Sequence, residues 1–151
     1  MVLYQNGMLA IMDAQLGGEA PLDLLGDVVK LALMNTAYSI NAATHDFFDD
    51  ISANEITATN YSSRGNALAS KTIALDGSGR SVFDAAAVTF SSIGNGTNDT
   101  TDQAVLLREQ DSGATNGNSR LLSHYSIPST TTNGGDIVIR WASTGIIRVA
   151  V

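Results

Sequence analysis

His45 and His124 are the only two histidines in a chain of 151 residues, and cysteine is absent. A histidine-based zinc site needs three or four ligands, and neither histidine has a second at the i+2 or i+4 spacing that would hold a metal. His45 does stand beside Asp46, Asp49 and Asp50. Acids at the start of a helical turn are explained by capping and by the helix dipole without a metal. Asn95, Asn98, Asp99 and Asp102 make an oxygen-rich, glycine-containing loop of the kind that can hold calcium. The spacing of acids, amides and glycine in a calcium-binding EF-hand loop is not met, and Asx side chains bonded to their own backbone explain the loop instead. A Ser-His-Asp set can be drawn from Ser123 or Ser126 with His124 and an aspartate. No G-x-S-x-G elbow presents the serine, however. Gly77-Ser78-Gly79-Arg80 lacks the third glycine and the following helix of a dinucleotide fingerprint. Asp49 and Asp50 are neighbours whose side chains diverge on a helical turn, so they form no acid/base pair. The expectation is a protein that is not an enzyme, with no catalytic residues, no cofactor and no metal.

Charge bounds the partners. Residues 1–55 carry eight acids (Asp13, Glu19, Asp23, Asp27, Asp46, Asp49, Asp50 and Glu55) against Lys30 alone, while the acids and bases of residues 56–151 balance. The net charge of −7 therefore sits in the first third. Such a face repels phosphate, which argues against nucleic acid and for a basic protein surface, unless the acids are only solvated. No apolar run approaches the roughly 18 residues of a membrane span, and no basic segment followed by an apolar run marks a signal peptide. The hydrophobic content of 44% is enough to bury an ordinary core without disulfides or metal.

The elements that must position these residues read mostly as strands. Asn133–Val151 opens on Asn-Gly-Gly, runs through two apolar arms and breaks at Ser143-Thr144-Gly145, which predicts a closing β-hairpin. Ile137, Ile139 and Trp141 share one face of the first arm, opposite Val138 and Arg140. Ile147, Val149 and Val151 alternate with Arg148 and Ala150 in the second. Tyr4, Met8, Leu9, Ile11 and Met12 recur at helical spacing ahead of Gly17-Gly18, predicting a short helix within Tyr4–Gln15 that Gly7 weakens. Asp27–Asn35 is apolar on both faces and predicts a central strand. A helical turn is expected over Thr44–Ile51, with Thr44 as its cap. Ala67–Leu75 and Arg80–Phe83 flank an Asp-Gly turn, and Ala86–Ile93, Gln103–Gln110 and Arg120–Ile127 complete the strands. Three polar loops, Gly94–Asp102, Asp111–Ser119 and Ser129–Gly135, exceed what a hairpin needs. The fold expected is mainly β, a β-sandwich or small barrel of about eight strands with one short N-terminal helix. It forms a single β-rich domain over 1–151, with a helix and arm over 1–26 and a β core over 27–151.

Several short motifs stand in a definite order: Val28–Met34, Ala43-Thr44-His45-Asp46-Phe47, Asp50-Ile51, Leu68-Ala69-Ser70-Lys71-Thr72, Asp84-Ala85-Ala86-Ala87-Val88-Thr89-Phe90, Leu121-Leu122, and Asn133-Gly134-Gly135-Asp136-Ile137 with Trp141. Together, from about residue 4 to the end, they resemble a family of small virion structural proteins of tailed bacteriophages. The connection Gly17–Gly26 is longer than the family's. The resemblance implies a non-enzymatic role in the particle, most similar to capsid decoration (cement) proteins. Such proteins bind the outer capsid surface after synthesis in the host cytoplasm, contact the major capsid protein and often form trimers or other homo-oligomers. No nucleic acid and no membrane is implied as a partner. Tyr4, Met8, Phe47, Phe48 and Tyr61 are the interface candidates under this reading, with the protein's own core as their alternative place. A neck, tail or fibre-associated module is the nearest rival. A carbohydrate-binding module fits less well, because Trp141 lies mid-strand and the long loops hold no aromatic residue.

Overall fold

The computed structural model describes residues 1–5, 7, 11, 21–110 and 116–149. Most of the expected N-terminal helix, Met8 included, and the end of the chain at residues 150–151 lie outside the described residues. Among the described residues there are ten strands: β1 (Val2–Leu3), β2 (Val28–Asn35), β3 (Asn66–Ala67), β4 (Thr72–Leu75), β5 (Ser81–Asp84), β6 (Val88–Phe90), β7 (Thr100–Glu109), β8 (Arg120–Thr131), β9 (Ile137–Ile139) and β10 (Ile147–Val149). The excess over about eight comes from two-residue pieces, β1 and β3, that are too short to show a periodicity in sequence.

All pairings are antiparallel. The largest sheet has the order β1-β8-β7-β2-β3, a second has β10-β5-β4, and a third pairs β6 with β9. Among the described residues no sheet closes on itself, so the architecture is layered and not a barrel. The mainly β expectation holds.

The two-faced apolarity of β2 explains the layering. Val29, Leu31 and Leu33 point to one side with Ala104, Leu106 and Leu122, where they meet Phe83, Val88, Phe90, Ile146 and Ile147 from the two small sheets. Ala32 and Met34 point to the other side with Val105, Leu107 and Leu121, under Tyr4, Tyr38, Phe48 and Ile51. Successive residues of a strand face opposite ways, so one strand can serve both cores only if both alternations are apolar. Each fully buried leucine here contributes about 1.5–3 kcal/mol. β2 lies between β7 and β3, as its sequence predicts.

The C-terminal hairpin is corrected. A turn does form, with the Gly145 N–H donating to Ala142 C=O at 2.9 Å. The two arms nevertheless part: β9 pairs with β6, setting Ile139 against Val88 and Ile137 against Phe90. β10 pairs with β5, setting Ile147 against Phe83. Non-local apolar partners outcompete the local one. The expected turn at Thr44–Ile51 is instead a 3-10 turn over Phe48–Asp50. Its N-cap residue is Phe47, not Thr44, and the Asp50 carboxylate at the third position reaches back to accept from the Asp46 and Phe47 N–H groups at 2.8 and 3.0 Å. The Asp76–Arg80 turn between β4 and β5 forms as expected. Asp76 accepts from the Ser78 and Arg80 N–H groups and pairs with the Arg80 guanidinium.

Candidate functional site

The five aromatic and methionine candidates separate. Tyr4 and Phe48 are fully buried in the second core. The Tyr4 hydroxyl lies 2.6 Å from that of Tyr38. Burial and that bond hold the Tyr4 phenol far above its ordinary pKa. Phe48 anchors its turn to the strand entry through its N–H, which donates to Ser119 C=O at 2.8 Å. Neither presents a surface to a partner. Phe47 is half-buried beneath the Arg120 guanidinium, 4.5 Å from the ring centre. Tyr61, also half-buried, donates its hydroxyl to Glu55 and accepts from the Leu33 N–H, both at 2.9 Å, while its ring stacks on Phe90. Met8 lies outside the described residues.

The two histidines, far apart in sequence, both come against Tyr38, with ring centres 6.0 and 5.9 Å from it. Gln103 donates its amide to Tyr38 C=O at 2.7 Å, so its Oε1 accepts, and the His124 Nε2 2.9 Å away must carry a proton. Burial lowers the His124 pKa; the Met1 ammonium lowers it further and Asp102 opposes both. Ser123 donates to the Tyr125 hydroxyl at 2.9 Å. Among the described residues no three histidine, aspartate or glutamate side chains gather where they could hold a metal. Asp99 of the oxygen-rich loop accepts from the neighbouring Thr100 N–H and from the Thr57 N–H, so its carboxylate ties the loop to a distant segment and does not form the expected Asx turn.

Much of the acidic third is spent internally. Asp27 pairs with Arg108 at 2.8 Å, and Asp50 accepts from the Asp46 N–H. Glu55 collects the Tyr61 hydroxyl, the Ser63 hydroxyl and the Arg64 N–H. Burial raises the Glu55 pKa against these bonds.

Two surfaces stand out among the described residues. The first is β4, an edge strand in which all four residues are exposed, Ile73 at 50% and Leu75 at 71%. These two share a face of the sheet, and beside Ile73 a small apolar hollow is lined by Ile11, Leu24, Phe83 and Ile147. The second is a groove of about 460 Å³ between β8 and the segment that runs from β9 to β10. Tyr125 and Trp141 meet in it at 5.6 Å between ring centres, tilted by 58°. The Trp141 indole N–H donates to Ala86 C=O, and the Tyr125 hydroxyl donates to Ile146 C=O. Arg140 and Arg148 complete the lining, and no acid joins them. Spacing alone puts each arginine on the polar side of its own arm; their convergence needs the tertiary fold, so no sequence signal marks the groove.

Compared with known protein families, curated proteins and solved structures, the chain matches none.

Proposed function

We propose that the protein is a non-enzymatic structural component of a bacteriophage particle, a decoration protein that binds the outer capsid shell and stabilises it by bridging neighbouring major capsid subunits. The ordered motifs that resemble virion proteins support this reading. The observation in the fold that carries it is β4, an uncharged, apolar, exposed edge strand. Such edges invite pairing with another chain, and soluble proteins ordinarily blunt them with charge, proline or a bulge. Binding that occurs only on the assembled shell stabilises that state by mass action.

The test is gold labelling of purified particles with an antibody to the protein, together with a copy count by quantitative mass spectrometry. Label spread over the head in hundreds of copies is the expected result. A few copies at the neck or tail would replace decoration with the connector or fibre reading, and absence from the particle would end both.

A further inference from the structure

We propose that the groove between β8 and β9 is a peptide-binding site that takes an extended, carboxylate-bearing segment of another protein chain. Charge is the first ground. Of the eight cationic side chains, Lys30 and Arg64 face Glu109, Arg80 pairs with Asp76, and Arg108 pairs with Asp27. Lys71 donates to Asp27 C=O, and Arg120 covers Phe47. Arg140 and Arg148 enter no ion pair among the described residues, and both line this groove, although Arg148 also borders a second hollow that holds Asp76 and Asp84. In a chain of net charge −7, two guanidinium groups outside any such ion pair beside an aromatic pair are a place for an anion to dock.

Backbone is the second ground, and it selects a peptide over a small anion. β1 covers the outer edge of β8 only through Val2 opposite His124 and Leu3 opposite Ser123. The Tyr4 N–H donates to Leu122 C=O, so the peptide groups that face outward on this edge belong to Leu122, His124 and, by alternation, Ser126. Ser126 lines the groove beyond the reach of β1. Pro128, which has no N–H, ends the edge two residues later. An extended segment laid beside Tyr125–Ile127 would bond Ser126, place apolar side chains against Trp141 and Ile139, and bring carboxylates to Arg140 and Arg148. The volume lies within the range of small-ligand sites. The groove needs no shell: any chain presenting such a segment would fill it.

Trp141 is the only tryptophan, so its fluorescence reports on the groove directly. The full chain is titrated with the hexapeptide Glu-Val-Glu-Val-Glu-Val and, separately, with Lys-Val-Lys-Val-Lys-Val, in low and high salt. The acidic peptide is expected to shift the Trp141 emission at about tenfold lower concentration than the basic one, and to weaken as salt rises. The R140A/R148A variant should lose this response. The K71A/R80A variant, which removes the same charge elsewhere, should keep it. Both pairs of side chains lie outside the two cores, and circular dichroism verifies folding. Equal response to both peptides, no response to either, or an undiminished response in R140A/R148A would each overturn the proposal. Binding seen by anisotropy with Trp141 silent would do the same, because it would lie elsewhere.

Discussion

The hydroxyl oxygens of Tyr4 and Tyr38 lie 2.6 Å apart inside the second core, tying the segment after β1 to the loop after β2. Tyr38 has a second, longer contact to His45 Nδ1 at 3.4 Å. Y4F leaves the Tyr38 hydroxyl with that long contact alone and is expected to cost about 1–2 kcal/mol. For a chain of this size the melting temperature falls by about 2–8 °C. Y38F strands the Tyr4 hydroxyl and should cost at least as much. The double variant removes both polar groups, so its loss should be clearly less than the sum of the singles. Thermal denaturation followed by circular dichroism measures all three; additive losses would mean that the hydroxyls do not interact.

Gly65 and Gly77 both sit in turns, but only Gly65 is constrained. It has φ of +69°, and an added Cβ would lie 1.8 Å from Leu31 C=O, on the backbone of the strand that serves both cores. Nothing lies within 4 Å of a Cβ at Gly77. G65A is expected to cost about 2–4 kcal/mol, through left-handed strain and displacement of β2, while G77A should stay within about 0.5 kcal/mol of the parent. Urea unfolding midpoints compare the two.

What could be read in the sequence was whatever local pattern decides. β2 declares itself because two buried faces leave no polar alternation, and the Asp76–Arg80 turn because its Asp and Gly residues bond their own backbone. Val88 and Phe90 alternate inward as their spacing requires. Strand partners were another matter. Ile137–Ile139 and Ile147–Val149 flank a genuine turn, yet they are claimed by β6 and β5, choices set by core packing far along the chain. The same limit hid the groove, since Arg140 follows β9 and Arg148 lies in β10, and those strands belong to different sheets. Tyr4 and Phe48 looked like possible contacts because an aromatic residue does not announce whether it is core or interface. Burial decided it for both.

The exposed residues of β4 should matter to association and not to folding. L75D alters a side chain that is 71% exposed and should move the urea midpoint by no more than about 0.5 kcal/mol. Under the shell-binding reading it also puts a charge on the pairing edge, the device by which soluble proteins prevent such pairing. L75D is therefore expected to abolish co-sedimentation with capsid shells while the purified chain remains folded. Full attachment of L75D would remove β4 from the interface.

Two ionisable groups, the buried His124 and the half-buried Glu55, give stability opposite pH dependences. His124 has a folded pKa below its ordinary 6.5, chiefly because burial disfavours the imidazolium. As pH falls from 6.5 through that lowered value, the unfolded chain takes up a proton that the folded chain resists, and the contribution of His124 to stability is lost. Glu55 has a folded pKa above its ordinary 4.5, again chiefly through burial. Its contribution is complete below 4.5 and is lost as pH rises through the raised value, because the folded state there holds a proton that the unfolded state releases. Each effect is bounded at about 1.4 kcal/mol per pH unit for one proton. H124Q keeps a donor toward Gln103, so it should flatten the acid-side loss. E55Q keeps an acceptor for the Tyr61 hydroxyl and should flatten the opposite slope. Urea titrations from pH 4.5 to 8 on the parent and both variants separate the two. Parallel curves for parent and variant would show that the substituted group does not carry the dependence.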